Sequence, residues 1–113
     1  MTTENHEVIF AIVNAGFAEE AMNVARSQGA RGGTILNARG VAREKEATFF
    51  GITIHPEKEI LMLVVEKTIR DQILNALYKE MGMSKKAQGI AFSLPVSDVA
   101  GLAQPIAEEP KED

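Results

Sequence analysis

The sequence predicts an α+β domain with the element order β-α-β-β-α-β, in which two helices lie on one face of an antiparallel sheet. Three observations predict it. Two unbroken apolar runs, 8–13 (VIFAIV) and 60–65 (ILMLVV), are short and rich in β-branched residues, as buried strands are. Each is followed by apolar residues at helical spacing, Phe17, Ala21, Val24 and Ala25 after the first, and Ile69, Ile73, Ala76 and Leu77 after the second. Two further β-prone runs, 33–38 and 89–94, follow those helices and complete a four-stranded sheet.

Taken in order, Asn14-Ala15-Gly16 breaks the first strand. In the helix that follows, Glu19 and Glu20 stand in the first turn and Arg26 near the last, each with the favourable sign for the helix dipole, and Gly29 is the expected stop. The second strand exits through Arg39-Gly40-Val41-Ala42-Arg43 into the charged stretch 41–48 (VAREKEAT). Strand character returns at 49–54 (FFGITI), residues 55–58 turn, and 60–65 is the next strand. Thr68 with Asp71 three residues on reads as a capping box for the second helix, with a second stripe of Leu74, Tyr78 and Met81 and a stop at Gly82. The last strand, 89–94 (GIAFSL), closes at Pro95, and 98–102 is expected to make a short helical turn. One domain over 1–102 is expected, followed by a Pro- and Glu-rich flexible acidic tail over 103–113.

This order is the ferredoxin-like plan. With helices on one face only, the strands should alternate apolar and polar. Strands 8–13 and 60–65 do not alternate, so their second face must also be covered, and another copy of the chain is the available cover. An obligate homo-oligomer with sheets turned inward follows.

Composition narrows the function. The chain has 113 residues, 45% hydrophobic and 25% charged, with no cysteine and a net charge of −4. The absence of cysteine removes disulfides, thiolate metal sites and a cysteine nucleophile. The acidic balance argues against a general nucleic-acid binder. No apolar run approaches the roughly 18 residues of a membrane span, and the polar start MTTENHE is unlike a leader, so the cytoplasm is the expected setting. No catalytic nucleophile–base pair or convergent carboxylate pair stands out. His55 beside Pro56, with only His6 as company, makes a poor metal site, and none is expected.

The stretch 32–43 (GGTILNARGVAR) is the strongest local signal. Bare glycine backbone and two guanidinium groups at one point can hold a phosphate, although a solvated hairpin end uses the same residues. Together with the closing segment GIAFSLPVSDVAGL, this stretch resembles the PII (nitrogen regulatory) signal-transduction proteins, in a divergent short-loop branch, over about residues 8–102. The resemblance implies a ferredoxin-like homotrimer with sheets facing a central axis. It implies ATP, ADP or AMP bound in clefts between subunits, and a mobile loop that controls a partner, often a membrane transporter or a metabolic enzyme.

Carried onto this chain, the resemblance assigns nucleotide contacts to Thr34, Arg39, Gly40, Arg43 and Val64, and to the phosphate loop 82–89 (GMSKKAQG) with Lys85, Lys86 and Gly89. The partner loop carries Glu44, Lys45, Glu46 and Phe49. Arg43 as a surface residue paired with Glu44 or Glu46, and Lys85 and Lys86 as solvated charges, are the plainer alternatives. The phosphate loop lacks the family's Gly-Lys-Ile-Gly-Asp-Gly pattern, Met62 stands where the family has a glutamate, and the C-terminal segment is acidic. The only tyrosine is Tyr78, on the second helix, which excludes uridylylation of a loop tyrosine. Two rival readings are a divalent-metal-responsive trimer resembling the cation-tolerance proteins and a trimeric interaction scaffold without a ligand.

Overall fold

The computed structural model describes residues 5–41, 48–49, 52–53 and 56–101. The order is β1 (His6–Asn14), α1 (Ala18–Ser27), β2 (Thr34–Arg39), β3 (Thr48–Phe49), β4 (Ile52–Thr53), β5 (Glu57–Glu66), α2 (Lys67–Met81) and β6 (Ile90–Pro95). The main sheet is antiparallel in the order β2-β5-β1-β6, so the two unbroken apolar runs are its central strands. Both helices pack on one face of it.

The period of two decides what each strand residue meets. Ile9, Ala11 and Val13 of β1 and Leu61, Leu63 and Val65 of β5 are buried beneath the helices, together with Ala21, Ala25, Ile73, Leu77 and Met81. The alternate residues form the open face. The register aligns Val8, Phe10 and Ile12 with Val64, Met62 and Ile60 on one side and with Leu94, Phe92 and Ile90 on the other. Thr34 and Leu36 of β2 extend this face across the sheet. The rings of Phe10 and Phe92 stand 5.5 Å apart on this face, between β1 and the edge strand β6. In the single chain Ile90 is 52% exposed and Leu94 48%, a contiguous apolar surface of the kind that marks an interface.

Several local expectations are corrected. The 49–54 strand is a small hairpin, with Thr48 opposite Thr53 and Phe49 opposite Ile52, and it forms a sheet of its own. The turn expected at 55–58 is shorter, because β5 already runs from Glu57, where Glu57, Lys58 and Glu59 pair with β2. No capping box forms at Thr68. The chain passes from β5 directly into α2, whose cap residue Glu66 makes no side-chain hydrogen bond. Lys67 N–H donates instead to the Asn5 carbonyl at 2.6 Å, and Asp71 accepts from Arg70 Nε at 2.9 Å. Tyr78 points outward and is 74% exposed, while Met81 of the same predicted stripe is buried. Residues 98–101 form no helix. The tail 103–113 lies outside the described residues.

Among the described residues, Glu7 is the charge buried on the helix face. Glu7 accepts a hydrogen bond from Arg70 Nη1 at 2.8 Å, tying the start of β1 to α2. That bond, with a smaller contribution from Ser93, holds the Glu7 carboxyl below the usual carboxylate range. A lowered carboxylate stabilises the fold above its unfolded value, about 4.3, and loses that contribution as pH falls through the lower folded value. The stability gap between wild type and Glu7→Gln should therefore be widest at neutral pH and close in acid. Urea unfolding at pH 7 and pH 3 measures it, and a gap of constant size would show that the ion pair contributes nothing.

Candidate functional site

One end of the sheet gathers the end of β1, the end of β2, the start of β5 and the 82–89 loop. Asn14 is opposite Lys58, Ala38 is also opposite Lys58, and Arg39 is opposite Glu57. Gly40 N–H donates to the Pro56 carbonyl at 2.7 Å, which closes the base of the segment between β2 and β5. The Asn14 N–H donates to the Ala87 carbonyl at 2.9 Å and draws the 82–89 loop onto the same end.

The 82–89 loop is a series of tight turns. Lys85 N–H bonds the Gly82 carbonyl, Gln88 N–H bonds the Lys85 carbonyl, and Gly89 N–H returns to the Met81 carbonyl at 2.7 Å. A Cβ at Gly89 would collide with that Met81 carbonyl oxygen and stand 3.0 Å from Val13 Cγ1, so the return needs a residue without one. Lys85 and Lys86 are exposed and make no ion pair among the described residues. An exposed pair of ammonium groups on a backbone held this tightly is suited to an anion. Beside the loop, α2, β1 and β6 enclose a cavity of about 290 Å³ lined by Leu74, Leu77, Tyr78, Met83 and Ile90 among others. Its lining holds no charged group, so a phosphate would not settle there.

Of the predicted nucleotide residues, the structure brings Arg39, Gly40, Lys85, Lys86 and Gly89 to this end. Thr34 and Val64 lie elsewhere. Thr34 is opposite Met62, and Val64 is opposite Val8, both on the open face. Val64 is six residue steps along β5 from Lys58, roughly 20 Å. Arg43, Glu44, Lys45 and Glu46 lie outside the described residues, and Phe49 falls on β3. Among the described residues no group of His, Cys, Asp or Glu could hold a metal ion, and no helix is long and apolar enough to cross a membrane.

Three residues absent from the sequence prediction organise this end. Asn14 Nδ2 donates to the Lys86 carbonyl at 3.0 Å, and Asn14 Oδ1 accepts from Lys58 Nζ at 2.8 Å. Glu59 Oε1 accepts from both Gly16 N–H and Ala18 N–H at 3.0 Å, supplying the start of α1 with the cap that Phe17 lacks. Asn14 reads in the sequence only as a strand breaker and Lys58 as part of a turn, and Glu59 falls between that turn and the next strand. Their partners are about 40 to 70 residues away, beyond the reach of a local pattern.

The model of the family "Nitrogen regulatory protein P-II" matches residues 6–104. No curated protein matches the chain. Among solved structures, a PII-like signaling protein from Thermus thermophilus is similar at 22% identity and TM-score 0.66, over 89% of this chain and 96% of that one. The Arabidopsis thaliana PII protein bound to citrate is similar at 23% identity and TM-score 0.61, over 85% and 81%. CutA from Synechococcus elongatus is similar at 10% identity and TM-score 0.65, over 86% and 81%. At these identities the structural likenesses establish the shared fold, which PII and CutA proteins have in common. The family match is what separates them: spanning residues 6–104 of 113, it makes this protein a member of the nitrogen regulatory protein P-II family.

Proposed function

We propose that this protein is a trimeric, non-enzymatic regulator that binds an adenine nucleotide in clefts between subunits, and thereby controls a partner protein, a membrane transporter or a metabolic enzyme. The observation that carries the reading is the division of its candidate contacts. Arg39, Gly40, Lys85 and Lys86 lie at one end of the subunit, whereas Thr34 and Val64 lie on the open face roughly 15 to 20 Å away along the strands. One subunit does not offer both groups to one small ligand. Association through the open apolar face would set one subunit's loop end against a neighbour's Thr34 and Val64. The cationic end would take the phosphates and the apolar strand the base.

Regulation would then be a population shift. A nucleotide that binds two arrangements of the β2–β5 connection unequally favours one, and that arrangement, with Glu44, Lys45, Glu46 and Phe49, binds or releases the partner. The citrate held by the Arabidopsis PII protein is a polyanion, so citrate belongs among the ligands tried.

Thermal unfolding with ATP, ADP, AMP, cyclic nucleotides, citrate and divalent metals tests this. Nucleotide should raise the midpoint by mass action. Arg43→Ala should weaken nucleotide binding by about 1.5–3 kcal/mol, as loss of a charged hydrogen bond does, measured by calorimetry. A midpoint raised by metal alone would favour the cation-tolerance reading, and no response to any ligand would favour the scaffold.

A further inference from the structure

We infer that Asn14 is a positioning residue that couples the 82–89 loop to the base of the β2–β5 connection. Its two side-chain atoms face opposite elements. Nδ2 donates to the Lys86 carbonyl at 3.0 Å, and Oδ1 accepts from Lys58 Nζ at 2.8 Å. The Lys58 stem in turn lies on Gly40, where a Cβ would stand 3.2 Å from Lys58 Cε and 3.4 Å from Cγ. Gly40 is pinned to Pro56 by its own N–H at 2.7 Å. A continuous path of contacts therefore runs from the Lys86 carbonyl through Asn14 and Lys58 to Gly40.

The amide is suited to this in a way few side chains are. It offers a donor to a carbonyl and an acceptor to an ammonium at the same time, with one planar group fixing the angle between them. Displacing the 82–89 loop moves Lys86 O, which turns the amide and releases or draws Lys58. Asp at this position would keep the acceptor for Lys58 but lose the donor, and would place a carboxylate against the Lys86 carbonyl. Coupling of this kind is established by non-additivity and not by proximity.

The inference deepens the proposed function and rests on it for its biological meaning, but the path itself is testable without any ligand. Amide hydrogen exchange by NMR is compared in wild type, Lys58→Met, Asn14→Asp and the double variant, with rates taken relative to Leu63 in the sheet centre so that global destabilisation cancels. The reporters are the bonded amides of Lys85, Gln88 and Gly89 on one side and Gly40 on the other. Lys58→Met should speed exchange of the loop amides about three- to tenfold, the size of coupling one hydrogen bond carries. It should add nothing in the Asn14→Asp background.

Equal loop rates in wild type and Lys58→Met, or the same rate increase in both backgrounds, would overturn the inference. Addition of ATP separates the two readings. No response at any amide defeats nucleotide binding, and the ligand-free comparison then still decides the path.

Discussion

Phe92→Asp should convert the assembled protein into single subunits at micromolar concentration. Phe92 stands on the open face of the edge strand β6, 41% exposed in the single chain, with its ring 5.5 Å from that of Phe10 on the central strand β1. Val8, Ile12, Met62 and Ile90 surround this pair on the same face. Burying a phenylalanine contributes about 1.5–3 kcal/mol, and a symmetric assembly loses that contribution in every subunit at once. The substituted carboxylate adds the larger penalty of a charge facing apolar surface without a partner. The helix-side core is untouched, because the period of two points Phe92 away from it. Sedimentation velocity should show a trimer for the wild type and a single subunit for the variant. A variant that remains trimeric would place the interface elsewhere and remove the inter-subunit cleft.

Leu63→Ala should cost about 2–5 kcal/mol, a large share of the 5–15 kcal/mol by which domains of this size are stable. Leu63 is 1% exposed and lies on the helix face of a central strand. Its Cδ2 reaches the bare backbone of Gly33, where a Cβ would stand only 2.5 Å away. A truncated side chain leaves space that Gly33 has no atoms to fill, so the cavity stays open and the cost falls in the upper part of the range. Urea unfolding at a fixed protein concentration measures it, the fixed concentration being necessary because assembly contributes to the midpoint. A loss below about 1 kcal/mol would mean that the helices settle onto the gap.

The residues differ in how legible they were. Val8–Val13 announces a central strand, because an unbroken apolar run this short in a chain without a membrane-length segment reads as a strand paired on both sides, and β5 and β6 flank it. Ile73 and Leu77 announce their burial through helical spacing, and Gly82 its stop. Tyr78 shares the spacing of Met81 but lies at the margin of the stripe, where spacing alone does not separate a buried from an exposed position. Thr68 and Asp71 have the sequence of a cap, yet the helix starts from the strand before it, with Asn5 meeting its first donor.

The candidate site divides in the same manner. Arg39, Gly40, Lys85 and Lys86 were visible as glycine and cation chemistry in short segments. That those segments meet, that Thr34 and Val64 stand apart from them, and that Asn14 joins two of them was not visible.

The sequence by itself determined the order of the main-sheet strands and the two helices and the need for a covered second face, since these follow from periodicity and from what water tolerates, whereas the face each residue of the unbroken strands takes came only with the fold. Only the tertiary structure decided which chain ends share one end of the sheet, how α1 obtains its cap from Glu59, and which polar atoms bridge the 82–89 loop to Lys58. The reason is the range of the interactions: local preferences act across a few residues, whereas a hydrogen bond between residues 14 and 86 exists only after strand pairing has brought the two together.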